Sequence, residues 1–89
     1  MKIKISRPSR EEVGKLGIES WSPWSCEVST FDWEYDTNED AYIFEGKVTV
    51  TTPEGEEVKI GAGDLVHFPK GLSCTWKIEE PVRKVYRFS

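Results

Sequence analysis

A chain of 89 residues is the size of one domain, expected to span residues 1–89, and it buries only about 60–65% of the surface of its unfolded form, so every large apolar side chain has a structural claim on it. Sixteen acidic against 12 basic residues give a formal net charge of −4, and the absence of any Lys/Arg cluster excludes the electrostatic footprint of a nucleic-acid binder or of a protein docked on an anionic membrane. No apolar run approaches the ~20 residues that cross a bilayer, and Met1-Lys2-Ile3-Lys4-Ile5-Ser6 lacks the apolar centre of a signal peptide, so a cytoplasmic setting is expected.

Met1, Ile3 and Ile5 alternate with Lys2, Lys4 and Ser6, the pattern of a half-buried strand that Pro8 stops. Ser9 and Glu12 have the spacing of a capping box, and Val13 with Leu16 forms the apolar face of a short helix ended by Gly17. This is the only helix the pattern supports. Ile18 to Glu27 reads as irregular, with Trp21 and Trp24 covering the end of a core.

From Val28 the pattern is all β. Phe31, Trp33 and Tyr35 alternate with Thr30, Asp32 and Glu34, which points the aromatic set inward. Asp36-Thr37-Asn38 is a turn, Ala41 to Glu45 a strand broken by Gly46, and Lys47 to Thr52 a further strand. Pro53-Glu54-Gly55 is a hairpin signal before a returning strand with Val58 and Ile60. Gly61 and Gly63 turn the chain into Leu65 to Phe68, and Pro69-Lys70-Gly71 turns it again. Cys74 to Glu79 and Val82 to Phe88 close the chain, separated by Glu80-Pro81. Short strands separated by regular turn signals specify an antiparallel barrel or sandwich with at most one short N-terminal helix. Aromatics at 12% suit a small barrel filled by large side chains. The two cysteines, Cys26 and Cys74, form no Cys-x-x-Cys pair and read as free thiols of a reducing compartment.

Gly63, Pro69, Gly71 and position 74 stand in the register of the second motif of the cupin superfamily, Gly-x5-Pro-x-Gly-x2-His, with Cys74 where that motif has its metal-binding His. Glu39, seven residues before Gly46, matches the Glu and Gly of the first motif. Over residues 28–88 the chain resembles the cupins, and most closely the small, largely uncharacterised group related to ureidoglycine aminohydrolase and the ethanolamine-utilisation cupins. The resemblance implies an all-β, jelly-roll-like barrel. The His-x-His that precedes the Glu in the family is absent. Its positions fall on Trp33 and Tyr35, since the alternation leaves Asp32 and Glu34 toward solvent.

Of those positions only Glu39 and Cys74 are ordinary metal ligands, whereas a metal centre needs three or four convergent donors, so no metal and no other cofactor is expected. Glu39, partly desolvated in an aromatic barrel mouth, is the candidate proton carrier, and Tyr35 the candidate orienting donor. Trp33, Cys74, Trp76 and Lys84 are the candidate ligand-binding residues, Lys84 bringing a cation toward Glu39 from the strand face it shares with Tyr86. The only histidine, His67, alternates with Val66 and Phe68 and is read as structural or surface. The expected function is binding of a small polar metabolite in the barrel mouth, with or without metal-independent turnover. A non-catalytic sensor or accessory domain is the main alternative and a metal-dependent cupin enzyme the lesser one. A homodimer is an expected partner arrangement, as is common among cupins.

Overall fold

The computed structural model describes residues 2–88; Met1, expected at the head of the first strand, lies outside them. The elements are β1 (Lys4–Ser6), α1 (Arg10–Leu16), a 3-10 turn (Ile18–Ser20), β2 (Ser22–Cys26), β3 (Ser29–Glu34), β4 (Glu39–Thr51), β5 (Glu57–Gly61), β6 (Leu65–Phe68) and β7 (Ser73–Phe88). Every pairing is antiparallel. The all-β architecture and the single α-helix are as expected.

Two long strands organise the sheet. The first part of β4 runs between β6 and the end of β7, with Glu39 opposite both Phe68 and Phe88. Its second part runs between β5 and the start of β7, with Val50 opposite both Val58 and Trp76. In turn, β7 pairs with β3 along Ser73–Ile78 and with β2 along Val82–Tyr86. The sequence breaks read at Gly46 and at Glu80-Pro81 are therefore corners inside continuous strands. Register shifts between Ile43 and Val48 bend β4 there, as bulges do. Gly46 takes φ +108°, and a Cβ on it would sit 2.5 Å from the Pro81 carbonyl oxygen and 2.6 Å from Val82 Cα. Only glycine lets the two strands pass this closely.

The stretch expected to be irregular also differs. Ser22–Cys26 is a strand, because its backbone finds the open side of β7. Pro23 is tolerated there since β2 ends the sheet and needs no donor outward. The structure separates the two tryptophans. Trp21 packs with Ile18 and Val85 beneath Val13 and Leu16 of α1, on the outside of the sheet. Trp24 packs on the inside against the main core of Tyr35, Ala41, Ile43, Val48, Val50, Val66, Phe68, Trp76 and Ile78. The capping box forms as read, Ser9 Oγ accepting from the Glu12 amide and Glu12 Oε1 from the Ser9 amide, with Gly17 left-handed at the C-terminus. β1 is shorter than its pattern suggested, an edge paired with β6, with Ile5 partly exposed and Ile3 against the core.

The motif turns are stitched to one another through the backbone. Gly63 and Asp64 exchange hydrogen bonds with Ile43, and Leu72 and Gly71 with Tyr35. The Lys70 amide donates to Asn38 Oδ1 at 2.8 Å. Residues 61–76 thus dock on residues 35–43 and hold Tyr35 and Glu39 in place.

Candidate functional site

Glu39 opens β4 with its side chain directed inward, where it is only 5% exposed. Lys84, on the neighbouring β7, is 6% exposed, and its ammonium donates to Glu39 Oε2 at 3.0 Å. A buried ion pair is costly to desolvate and is tolerated when its remaining capacity is satisfied. Here aromatic faces supply the rest: Lys84 Nζ lies 4.8 Å from the Trp76 ring centroid, 5.0 Å from that of Trp24 and 5.5 Å from that of Tyr86, all within cation–π range. Burial holds the Lys84 pKa below the ordinary lysine range, while the Glu39 carboxylate pulls in the opposite direction.

The pair borders a cavity of about 130 Å³ lined by Trp24, Phe31, Trp33, Tyr35, Glu39, Trp76, Lys84, Tyr86 and Phe88. Phe31 stacks on Trp76 with centroids 6.2 Å apart, and Trp24 meets Trp76 edge-on at 6.0 Å. Trp33 and Phe88 remain 52% and 63% exposed and so form the rim. Tyr35 is buried flat against Phe68, and its hydroxyl oxygen accepts from Trp76 Nε1 at 3.2 Å. Desolvation raises its pKa, with the negative charge of Glu39 adding to the effect.

Of the residues singled out in the sequence, Glu39, Tyr35, Trp33, Trp76 and Lys84 line this one cavity. Trp33 does so from the rim, and its inward placement was overstated by the strand alternation. Cys74 shares the interior face of β7 but does not line the cavity; it borders a separate shallow groove with Asp32, Thr52 and Ser73. Burial pushes its thiol up to about 11, so it stays protonated at neutral pH and is a poor nucleophile or metal ligand. His67 lies half-buried on the outer face, its Nδ1 2.7 Å from Asp40 Oδ1, and Arg87 Nε donates to the other oxygen of the same carboxylate.

Trp24, Phe31, Tyr86 and Phe88 complete the lining and were not picked out as site residues. Tyr86 and Phe88 continue the Lys84 alternation to the end of the chain. Trp24 is spaced two residues from Cys26, a strand signal hidden by Pro23. The donor set does not fit a metal ion. Among the described residues no three His, Cys, Asp or Glu side chains converge, and the carboxylate that lines the cavity, Glu39, faces an ammonium.

Residues 13–86 match the family described as the EutQ-like cupin domain. The chain belongs to that family. A solved DUF861-family protein of Thermotoga maritima is 55% identical to this EutQ-like cupin and superposes with a TM-score of 0.97 over 99% of this chain and 100% of its own. The Clostridioides difficile EutQ structure superposes with a TM-score of 0.66 at 25% identity, over 72% of this chain and 50% of its own. A curated relative, the acetate kinase EutQ of Clostridioides difficile (strain 630), is 26% identical over 76 residues, which is 85% of this chain. The present chain spans about half of that relative, 46% of its length. Among the described residues, no helix is long and apolar enough to cross a membrane.

Proposed function

We propose that this EutQ-like cupin binds a small molecule in the aromatic cavity, with Lys84 and Glu39 as its polar anchors and proton carriers. The observation that carries the reading is the buried Lys84–Glu39 pair at the wall of an accessible cavity. Well-packed apolar side chains would hold this position at lower cost, so a charge pair here, with a displaced pKa, has the character of a functional site rather than of core filling. Tyr35 adds an O–H whose oxygen is already fixed by Trp76, which leaves its proton for a ligand. The cavity is close in size to the ~150 Å³ that holds a benzene molecule, so the part of a ligand that it encloses amounts to a few heavy atoms. Chemistry without a metal is part of the same reading, as is a reducing compartment for the two free thiols.

A thermal-shift screen of short aldehydes, amides, ureido compounds and small carboxylates tests it. A binder should raise the melting temperature of the wild type and leave the Glu39→Gln/Lys84→Met variant unshifted. A panel in which no compound separates the two proteins rejects the reading. Turnover measured on any compound that binds then decides between enzyme and sensor.

A further inference from the structure

We infer that the cavity captures a short neutral carbonyl compound, an aldehyde above all, as a reversible imine on Lys84. The inference rests on the small-molecule reading of the cavity and names the ligand chemistry. Three features of the site lead to it.

The first is charge balance. Lys84 and Glu39 neutralise one another at 3.0 Å, and the other lining residues are aromatic. An anionic ligand would have to displace or approach Glu39, and a cationic one Lys84, in surroundings that desolvate both. A neutral ligand meets neither penalty.

The second is accessibility of the right atom. Lys84 lines the cavity and is fenced by Trp24, Trp76 and Tyr86, so its amine is buried from bulk water yet open to a molecule that passes Trp33 and Phe88. Desolvation in an apolar pocket is how a lysine becomes a nucleophile near neutral pH. The depressed Lys84 pKa agrees with this placement.

The third is the proton partner. Glu39 Oε2 accepts the Lys84 N–H bond, so the pair can carry the ammonium proton between them without solvent. Lys84 passes a proton to Glu39, and the free amine nitrogen attacks the carbonyl carbon as the C=O electron pair moves to oxygen. Proton transfers from nitrogen to oxygen give the neutral carbinolamine. Glu39 then returns its proton to the hydroxyl, which leaves as water while the nitrogen lone pair closes the C=N bond. One water is released, the resulting iminium loses or keeps its N–H proton to the Glu39 carboxylate, and no oxidant or reductant enters.

The experiment uses the full chain at neutral pH with propionaldehyde and cyanoborohydride, followed by peptide mapping by mass spectrometry. A reduced N-propyl adduct should accumulate on Lys84 about tenfold faster than on the solvent-exposed lysines, because a desolvated amine beside a proton acceptor is the better nucleophile near neutral pH. The variant Glu39→Gln/Lys84→Met, which keeps the site uncharged, should lose that adduct and retain only the slow surface labelling. Glu39→Gln alone should slow Lys84 labelling with circular dichroism unchanged; if it fails to fold, Glu39→Asp serves in its place. Labelling spread over exposed lysines with Lys84 untouched overturns the imine. Saturable quenching of tryptophan fluorescence by propionaldehyde, without a reducible adduct at Lys84, overturns the imine while leaving the cavity as a binding site. No adduct, no quenching and no stabilising compound in the thermal-shift panel overturn both.

Discussion

Glu39 and Lys84 stabilise one another only as a pair. Removing one charge leaves the other buried beside aromatic rings, so Glu39→Gln should destabilise the fold by about 3 kcal/mol in urea unfolding, and Glu39→Gln/Lys84→Met should recover most of that loss. If the losses of Glu39→Gln and Lys84→Met, each made alone, simply add up in the double variant, the pair is not coupled. Cys74 supports a second test. The native thiol keeps its proton up to about 11, whereas the unfolded thiol releases it near 9. Between those values the native state holds more protons, so stability present below pH ~9 is lost as pH rises toward 11, on the order of 2 kcal/mol. Tyr35 acts in the same direction at higher pH. Lys84 acts in the opposite direction, because its folded pKa is depressed and its burial penalty eases as pH rises toward 10.5. Comparing unfolding midpoints of wild type and Cys74→Ala at pH 8.5 and pH 10.5 isolates the thiol. The wild type should lose more across the interval, and parallel losses would remove Cys74 as a cause.

At the scale of the element, period-two alternation made the inner faces of β3, β6 and β7 legible, and with them Tyr35, Trp76 and Lys84. Glu39 was legible by its spacing to Gly46. Continuity across Gly46 and Pro81 was not, because a glycine at positive φ and a proline are the residues that also end strands, and only the tertiary crossing of β4 over β7 tells a corner from a stop. Trp24 was lost for a related reason. A five-residue edge strand containing Pro23 has almost no local signal, and its identity comes from pairing with a strand some 60 residues away in sequence. The corner makes a sharp prediction. Gly46→Ala needs both a positive φ and a Cβ 2.5 Å from a backbone oxygen, so it should cost about 2–4 kcal/mol in denaturant unfolding. Gly14→Ala is the contrasting case. Gly14 lies inside α1 with nothing near its Cβ direction, and replacing it should stabilise the protein by about 0.5–1 kcal/mol. Equal effects at the two glycines would mean that the crossing is not tight.

For the molecule as a whole, β7 is the common partner of β2, β3 and β4, and its second half also carries Lys84 and two of the aromatic side chains around the cavity. Fold and site therefore depend on the same segment. Deleting residues 81–89 removes the only partner of β2, one side of the first part of β4, and the charge that compensates Glu39. The truncated chain should show no cooperative thermal transition and a collapsed near-ultraviolet dichroism signal, because non-local pairings of this kind do not survive in part. Deleting residues 1–6 removes a strand paired only with β6, at the opposite edge of the sheet from β2. That chain should still unfold cooperatively at a lower temperature and should keep both the cavity and the reactivity of Lys84. If the N-terminal deletion abolished folding while the C-terminal one was tolerated, the central role of β7 in joining the barrel to its candidate site would be wrong.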